Sequence, residues 1–285
     1  MTPIKFKKYE GTGNDFIIID GFKSPEANKL FSIKRDLIKS LCDRHYGVGA
    51  DGIIINAKPD HNGISKMIIY NSDGSLAEMC GNGIRCLVKY IIDTNNLHNQ
   101  TEFNIETLAG LLNARFQTNG DIKVNMGEPT FTPNNIPTTL ATGKDNLPTG
   151  IINIENTSLQ IYAAGMGNPH LVTFIDDFDS IRFEKLGPVL ENSSYFPEKT
   201  NVHFVKIVNR ETLELLVWER GCGPTLACGT GACASLAVSA TLQLCNEKAN
   251  IILPGGTLFI EWPNKSGDIY MSGPAKYVFS GSIEI

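Results

Sequence analysis

The run Cys80-Gly81-Asn82-Gly83 returns, with one residue type changed, as Cys228-Gly229-Thr230-Gly231. Each run leads into a segment rich in apolar and small residues, Ile84–Ile92 after the first and Ala232–Val238 after the second. The apolar spacing and helix propensity of these segments predict that each cysteine stands just before a helix. Because a recurrence of this kind indicates an internal repeat, it decides how the whole chain is organised.

Other parts of the chain support two homologous halves. The segment Asp121–Gly127 resembles Asp268–Gly273, and a polar residue precedes each cysteine at the same spacing, Asn71 in one half and Glu219 in the other. We therefore predict two halves related by a pseudo-twofold axis, residues 1–130 with Cys80 and residues 131–274 with Cys228. The sequence leaves open whether the tail 275–285 packs onto the first half.

Short β-branched runs between Gly, Asn and Asp turns predict many strands in each half. Fewer segments have helical spacing, and these predict helices at Lys34–Cys42, Gly83–Asp93 and Gly231–Leu244. The fold class is therefore predicted as α/β (α+β), with each half a curled, mostly antiparallel sheet around a central helix. In such a half the start of the helix would lie at the edge of the domain.

Composition narrows the functional classes. A chain of 285 residues is long enough for two domains, and its 42% hydrophobic and 19% charged residues are typical of a globular protein. The net charge of −5 argues against a nucleic-acid or acidic-membrane binder. Since we find neither an apolar run of membrane-spanning length nor a secretory signal, we expect a cytoplasmic protein.

Seven cysteines in a chain without a signal peptide are expected to be reduced thiols. Their spacings fit no structural zinc pattern, and we expect no metal site. Apart from Cys80 and Cys228, the cysteines are interpreted as packing residues. These are Cys42, Cys86, Cys222, Cys233 and Cys245.

The start of a helix provides unpaired N–H groups and a partial positive charge, which together hold an anion such as a carboxylate. The same field stabilises a thiolate, but by only ~0.3–1 kcal/mol, or up to ~2 kcal/mol in favourable geometry. Since one pKa unit corresponds to about 1.36 kcal/mol, the helix alone shifts a thiol pKa by about one unit. A neighbouring acid or base is therefore also needed.

Pseudo-twofold symmetry would bring two thiols and two helix starts to one cleft. A carboxylate held between the helix starts would expose its α-carbon to a thiol on each side. One thiolate can remove the α-proton while the opposite thiol returns a proton, which inverts the carbon without a pyridoxal cofactor. We therefore expect no cofactor and a small-molecule substrate.

Three other interpretations are weaker. A cysteine hydrolase using His170 would leave the second cysteine motif unexplained. A phosphate-binding loop at either helix start would lack the Gly-Lys-Ser/Thr sequence. The run Gly47–Gly52 matches G-x-G-x-x-G, but a helical segment precedes it and a strand follows, so we predict a turn there and no dinucleotide site.

The run Asn71–Cys86 resembles the first signature of the diaminopimelate epimerase family, and Glu219–Gly231 resembles the second. Further matches follow in family order, so that the resemblance covers essentially the whole chain; they are Gly11–Phe16, Arg44–Gly52 and Gly167–His170. Racemases of the proline type share the architecture but have His at the position of Asn82 and lack the Glu-Arg-Gly lead-in. Pro224 stands where the family usually has Glu.

The resemblance implies that Cys80 and Cys228 are the acid/base thiols. It implies that backbone N–H groups of Gly81, Asn82, Gly229 and Thr230 hold the reacting carboxylate. Arg220 would bind the distal end of the substrate and Glu219 an ammonium group, while His170 and Glu219 would also tune the thiols. Four asparagines would contribute to substrate binding: Asn14, Asn71, Asn168 and Asn201.

The implied activity is the interconversion of LL- and meso-diaminopimelate in lysine and cell-wall precursor biosynthesis, by a homodimeric enzyme. Two alternatives stay open. One is a racemase or epimerase of another amino acid, of the histidine or proline type, on the same scaffold. The other is a non-catalytic amino-acid-binding homologue that keeps the cleft.

Overall fold

The computed structural model describes residues 3–24, 31, 34–155 and 157–284. Its contacts divide the chain into two compact units. Unit 1 comprises Met1–Asn125 with Ser272–Ile285, and unit 2 comprises Met126–Met271. Unit 1 thus includes the C-terminal tail, of which the last residue, Ile285, lies outside the described residues.

Unit 1 is built largely from strands, numbered here in chain order. Its strands are β1 (Ile4–Gly11), β2 (Asn14–Asp20), β3 (Gly52–Ala57), β4 (Ser65–Asn71), β5 (Leu76–Ala77), β6 (Glu102–Thr107), β7 (Gly110–Phe116), β8 (Ile122–Asn125) and, from the tail, β18 (Lys276–Ile283). Its helices are α1 (Arg35–Cys42) and α2 (Gly81–Asn95).

The strands of unit 1 pair in the order β18-β1-β2-β3-β4-β6-β7-β8, with β5 also on β4. Two of these pairings, β2 with β3 and β4 with β6, are parallel, and the others that join neighbouring strands are antiparallel. Parallel neighbours need a crossover connection, which is usually a helix. Here α1 connects the first parallel pair and α2 lies in the connection between the second.

The sheet of unit 1 curls around α2. This helix contacts β1, β2 and β18 at one end of the strand order and β7 and β8 at the other. The isoleucine runs Ile17–Ile19 and Ile53–Ile55 are fully buried. Such continuous apolar runs are expected where both faces of a strand are covered. Their alternate members Ile17, Ile19, Ile53 and Ile55 pack in one cluster with Ile38 and Leu41 of α1.

Unit 2 repeats this plan. Its strands are β9 (Thr149–Ile154), β10 (Thr157–Gly165), β11 (Pro169–Phe174), β12 (Asn201–Asn209), β13 (Thr212–Glu219), β14 (Gly223–Thr225), β15 (Lys248–Leu253) and β16 (Gly256–Glu261), followed by β17 (Tyr270–Gly273), within which the unit boundary falls. Its helices are α3 (Phe183–Glu191) and α4 (Gly229–Thr241).

The pairings of unit 2 follow the same sequence as those of unit 1. Strands β10 and β11 are antiparallel, β11 and β12 parallel, β12 and β13 antiparallel, β13 and β15 parallel, and β15 and β16 antiparallel. Strand β14 pairs with β13 as β5 pairs with β4. In both units the cysteine motif follows the short strand, so equivalent steps of the chain lead to each cysteine.

The central helix of unit 2 is α4, which contacts strands from β10 to β16. Eleven of its residues, Gly229 and Gly231–Ala240, are buried. A helix that is apolar or small on all sides is stable only when other elements surround it. Each unit is therefore a curled, mostly antiparallel sheet around a central helix, which confirms the predicted α/β (α+β) class.

Several elements differ from the prediction. The central helices begin at Gly81 and Gly229, two residues before the predicted starts, because the cysteines themselves are the N-caps. The second helix ends at Thr241 rather than Leu244. Helix α3 was not predicted because its sequence contains Gly187 and Pro188. The Trp218 indole fills the space beside Gly187, where a β-carbon would lie 2.4 Å from its ring.

Candidate functional site

Cys80 caps the N-terminus of α2. Its backbone is extended, with φ −145° and ψ 117°, and its Sγ accepts a hydrogen bond from the Gly83 N–H at 3.4 Å. Gly81 and Asn82 form the first turn, in which backbone N–H groups have no partner within the helix. The side chain of Cys80 is half-buried. The predicted combination of a thiol and an amide-rich helix start is present in unit 1.

Asn14 lies beside this helix start. It follows a turn in which Thr12 and Gly13 have φ of 58° and 78°, as a two-residue hairpin of this twist requires. Asn14 Oδ1 is 3.9 Å from Cys80 Sγ and accepts a hydrogen bond from Asn82 Nδ2 at 3.4 Å. The structure thus brings together three of the predicted residues of unit 1.

Behind Asn14 lies a cluster of charged side chains that the sequence analysis did not single out. Asp51 accepts a hydrogen bond from Asn14 Nδ2 at 2.7 Å, and Arg44 binds both Asp51 and Asp15. Lys8 forms a second ion pair with Asp15 at 2.7 Å. Burial of the Asp15 carboxyl raises its pKa, but hydrogen bonds from Arg44 and Lys8 outweigh that effect and lower the pKa to about 2.

Arg85 of α2 is fully buried. Its Nη2 donates to Thr12 Oγ1 at 2.8 Å and its Nε donates to the Pro274 carbonyl at 3.3 Å. Burial lowers the pKa of this guanidinium. Arg85 therefore fixes the turn that carries Asn14 to the helix that carries Cys80.

Asn71, the remaining predicted binding residue of unit 1, occupies a different setting. It ends β4 and is exposed, and its Nδ2 donates to the Ser75 hydroxyl at 2.9 Å. Its backbone N–H also donates to the Ser75 carbonyl at 2.9 Å. These contacts shape the turn that precedes β5.

Cys228 caps α4 with the same backbone device. Its φ is −129° and its ψ is 109°, and its Sγ accepts a hydrogen bond from the Gly231 N–H at 3.4 Å. Gly229 and Thr230 begin the helix, and Thr230 Oγ1 lies 3.5 Å from the sulfur. The side chain is more buried than that of Cys80, with 6% of Cys228 exposed.

Two fully buried imidazoles stand beside this helix start. His170 Nδ1 is 2.8 Å from His203 Nε2, and His170 Nε2 is 2.8 Å from Asn168 Oδ1. Burial lowers the pKa of both histidines, that of His203 to about 3, so the pair is neutral. Because the Asn168 oxygen can only accept, His170 carries its proton on Nε2 and receives a hydrogen bond from His203.

The His203 ring also explains one glycine of the motif. A β-carbon at Gly231 would lie 2.1 Å from His203 Cε1, so only glycine fits there without displacing the ring. His203 was missed by the sequence analysis, since a histidine within a strand has no distinctive local signal. His203 lies between buried Val202 and Phe204, and this pattern indicates only a strand that is covered on both faces.

The Glu219–Gly221 segment is held by buried polar groups. Asn201 Oδ1 accepts the Arg220 backbone N–H at 3.0 Å, and Asn201 Nδ2 donates to the Pro169 carbonyl at 3.0 Å. Buried Glu191, also missed, accepts the Gly221 N–H at 2.9 Å and the Trp218 indole N–H at 2.8 Å. Asn201 and Glu191 therefore position this segment.

Within that segment, the exposed Arg220 donates through Nη1 to the Glu198 carbonyl at 3.2 Å. Glu219 Oε1 accepts the Thr225 hydroxyl at 2.5 Å. Pro224, the departure from the family pattern, lies in β14 opposite Trp218 of β13, so the strand pairing accommodates it.

The other cysteines behave mostly as packing residues. Cys42, Cys86, Cys233 and Cys245 are buried, and Cys222 is exposed. Burial raises the pKa of Cys42 to about 12 and that of Cys245 to about 11, which keeps both protonated at neutral pH. The Gly47–Asp51 segment is an irregular turn before β3, as predicted.

Within the described part of the chain, no helix has the length and apolar character needed to cross a bilayer. The His, Cys, Asp and Glu side chains of the same residues form no group of three or more suited to a metal ion.

Comparison with solved structures defines the class of fold. A phenazine biosynthesis protein of the PhzF family from Bacillus anthracis superposes with a TM-score of 0.70 at 16% identity, over 100% of both chains. A hydroxyproline epimerase from Agrobacterium vitis gives a TM-score of 0.69 at 12% identity, over 99% of this chain and 91% of that one. The fold is therefore that of PhzF proteins and proline racemases.

Sequence comparison defines the family. The diaminopimelate epimerase family model matches residues 6–132 and 162–278. Diaminopimelate epimerase of Prochlorococcus marinus (strain NATL1A) is 50% identical over 281 residues, 98% of this chain and 99% of that protein. Diaminopimelate epimerase of Acaryochloris marina is 42% identical over 283 residues, 99% of each chain. The chain belongs to the diaminopimelate epimerase family, which confirms the resemblance found in the cysteine motifs.

Proposed function

We propose that this protein inverts the α-carbon of diaminopimelate, converting the LL to the meso isomer, with Cys80 and Cys228 as the two acid/base groups. One observation carries the proposal: each cysteine caps a central helix and accepts a hydrogen bond from the third helical residue at 3.4 Å. Repeated thiols at two amide-rich helix starts suit a reaction that needs one base and one acid. The proposal requires both sulfurs to reach one substrate carbon.

In this mechanism the reacting carboxylate binds the backbone N–H groups at the two helix starts. These belong to Gly81, Asn82, Gly229 and Thr230. One thiolate removes the α-proton, and negative charge develops on the carboxylate as the carbon becomes planar. The helix starts stabilise that charge because their dipoles are already oriented. The opposite thiol then donates its proton to the other face.

The distal end of the substrate is assigned to polar side chains. Arg220 binds the distal carboxylate, for which a guanidinium offers two parallel donors, and Glu219 binds the ammonium group. Asparagines complete the binding site: Asn14, Asn71, Asn168 and Asn201. Since the Asn201 side chain already bonds to backbone groups, its contribution runs through the position of Arg220.

We assign His170 and Glu219 to tuning the thiols. His170 is buried and neutral, with Asn168 and His203 at its two ring nitrogens. Its effect therefore comes from its dipole and from orienting Asn168 rather than from a positive charge. Glu219 supplies a carboxylate that Thr225 holds in place.

The reaction is proposed to need no cofactor, since the helix starts supply the stabilisation of the carbanion. We place the protein in the cytoplasm and assign it no nucleic-acid or membrane partner, in line with a net charge of −5. A homodimer is also proposed. It is supported by β18, in which Tyr277 and Val278 are each 49% exposed and Phe279 is 41% exposed. Light scattering after size exclusion measures the mass of the assembly directly.

The test is an α-hydrogen exchange assay in D₂O on a panel of amino acids. We expect exchange and epimerisation with LL- and meso-diaminopimelate. Exchange with proline or histidine but not with diaminopimelate would overturn the substrate assignment. A protein that binds diaminopimelate without any exchange would be a binding homologue.

A further inference from the structure

The amide of Asn14 is held in one orientation. Its Nδ2 donates to Asp51 Oδ2 at 2.7 Å, and the other Asp51 oxygen is bound by Arg44 Nη2 at 2.7 Å. A carboxylate paired with a guanidinium accepts hydrogen bonds and has none to donate. Asn14 must therefore turn its NH₂ group toward Asp51.

This orientation determines what Cys80 faces. With the NH₂ group bound to Asp51, Asn14 Oδ1 points toward Cys80 Sγ at 3.9 Å and accepts from Asn82 Nδ2 at 3.4 Å. An amide rotated by half a turn would instead present donors to the sulfur. An acceptor beside the sulfur stabilises the S–H form, whereas a donor stabilises the thiolate.

The orientation of the Asn14 amide also determines that of Asn82, which donates to the Asn14 oxygen. It is 3% exposed, and because its NH₂ group faces Asn14, its Oδ1 is buried without a hydrogen-bond partner among the described residues. A buried unpaired oxygen is costly, so this arrangement must be imposed from outside the amide pair. The salt-bridged carboxylate of Asp51 is the group in contact with Asn14 that can impose it.

Charged groups near this region lie on several elements. Arg85 lies on α2, Asp15 on β2 and Glu10 on β1, Asp121 directly precedes β8, and Arg44 and Asp51 lie between α1 and β3. Arg85 interacts electrostatically with the Cys86 and Cys80 thiols, and Glu10 with the Cys86 thiol. The Asn14 amide lies at hydrogen-bond distance from Cys80 Sγ, and its rotation would replace an acceptor with a donor.

We propose that Asp51 is a positioning residue for Cys80, which fixes the Asn14 amide with its oxygen toward the sulfur and so sets the polarity of the hydrogen bond at this thiol. The inference deepens the proposed function and rests on it for the catalytic role of Cys80. The orientation itself depends only on contacts within unit 1.

The test is the pH dependence of iodoacetamide alkylation at Cys80, read by mass spectrometry of the tryptic peptide Met67–Arg85, in which Cys80 is the one cysteine. In Asp51→Asn the Arg44 guanidinium holds the oxygen of the new amide, so the NH₂ group of that amide faces Asn14. The Asn14 amide then presents its oxygen to residue 51 and turns its own NH₂ group toward the sulfur. We expect Cys80 to be alkylated about two- to tenfold faster at pH 7, with its pH midpoint shifted downward by the corresponding amount. Asp60→Asn, which removes a carboxylate paired with Lys66, is the charge-matched control.

Asn14→Ala separates positioning from a general effect on structure. Removal of the acceptor oxygen itself lowers the midpoint, and Asp51→Asn then adds no further shift in the Asn14→Ala background. An unchanged midpoint in Asn14→Ala overturns the inference even if Asp51→Asn fails to fold. An Asp51→Asn shift that persists in the double variant also overturns it.

Alkylation needs no substrate, so this test and that of the proposed function give separate answers. Failure to turn over diaminopimelate leaves the alkylation result intact. If the unsubstituted protein turns over diaminopimelate but the alkylation midpoint of Cys80 is unchanged in both single variants, the positioning role is refuted and the proposed function stands.

Discussion

Cys80 and Cys228 occupy equivalent positions in their units, yet the groups around the two sulfur atoms differ in kind. Beside Cys80 stand an amide oxygen and a cluster of ion pairs that includes Asp15, Arg44 and Asp51. Beside Cys228 stand the Thr230 hydroxyl and, across Gly231, a neutral imidazole pair. The backbone device is repeated, while the side chains around it are not.

The difference indicates which features the proposed reaction constrains. That reaction needs a thiol and backbone N–H groups in both halves, and both halves have the same cap geometry at 3.4 Å. The proposed substrate is not symmetrical about the reacting carbon, because its distal end lies on one side. The surroundings of the two thiols can therefore differ. Ion pairs lie near the thiol of unit 1, and a buried neutral pair of imidazoles lies near the thiol of unit 2.

The largest expected effect comes from the thiols themselves. Cys80→Ala and Cys228→Ala should each lower kcat/KM for epimerisation by about 10²–10⁴-fold, the usual contribution of a positioned acid or base. Cys222→Ser, at an exposed position, is the matched control. If either alanine variant kept more than a tenth of the activity, that cysteine would not be one of the two acid/base groups.

The second-largest effect is expected at Arg220 of unit 2, which is proposed to bind the distal carboxylate of the substrate. Arg220→Met removes a charged hydrogen-bond donor, worth about 1.5–3 kcal/mol, and should lower kcat/KM for diaminopimelate about 10- to 150-fold. Arg210→Met, which removes an exposed arginine from the same unit, should leave kcat/KM within about twofold. Steady-state kinetics measure both values, and equal losses of kcat/KM in the two variants would show that Arg220 does not bind the substrate.

The glycines three residues after each cysteine should respond differently to alanine. A β-carbon at Gly231 would meet the buried His203 ring at 2.1 Å, whereas one at Gly83 would lie 3.1 Å from the Ile69 methyl group. Gly231→Ala should lower the free energy of unfolding by about 1–3 kcal/mol, as overpacking does. Urea denaturation should show a smaller change for Gly83→Ala, and the reverse order would contradict the packing described for His203.

Acid should act on the two units over different pH ranges. His170 and His203 have lowered pKa values in the folded state, so their contribution to stability is present above pH ~6.5 and is lost as the pH falls toward 3. The contribution to stability of Asp15, whose pKa is lowered from 3.8 to about 2, is lost only as the pH falls from about 4 toward 2. Unit 2 should therefore weaken first.

Urea unfolding at pH 7, 6 and 5 measures this difference. Both tryptophans, Trp218 and Trp262, belong to unit 2, so their fluorescence reports that unit. The expected slope is about 1.4 kcal/mol per pH unit for each buried histidine. His203→Gln should remove about half of it, and a flat dependence between pH 7 and 5 would show that the pair is charged in the folded state.

Sequence reasoning succeeded where the signal was local. The Cys-Gly-x-Gly recurrence predicted both central helices, though with starts two residues too late, and β-branched runs such as Ile53–Asn56 predicted strands close to their observed bounds. It failed at α3, where Gly187 and Pro188 lower helix propensity and packing against Trp218 compensates. Tertiary contacts of this kind have no local sequence pattern.

The sequence predicted the motifs of the candidate site but not the residues that hold those motifs in position. The cysteines and Asn14 stand in recognisable runs, and so does Asp51, within the matched Arg44–Gly52 segment. The partner that Asp51 serves lies 37 positions away and became visible only in the fold. Glu191 and His203 lie outside every motif, because a residue that holds a backbone segment or an imidazole needs only the right place and a hydrogen-bonding atom.

The central claim is that two different thiols serve the two faces of one carbon. Its most direct test is the early course of LL-diaminopimelate conversion in D₂O, with deuterium followed in substrate and product by mass spectrometry. Two separate acids predict that each meso molecule formed carries one deuterium while the remaining LL substrate stays unlabelled. Deuterium entering the unreacted LL substrate as fast as product forms would mean that one group handles both faces, and would contradict the account.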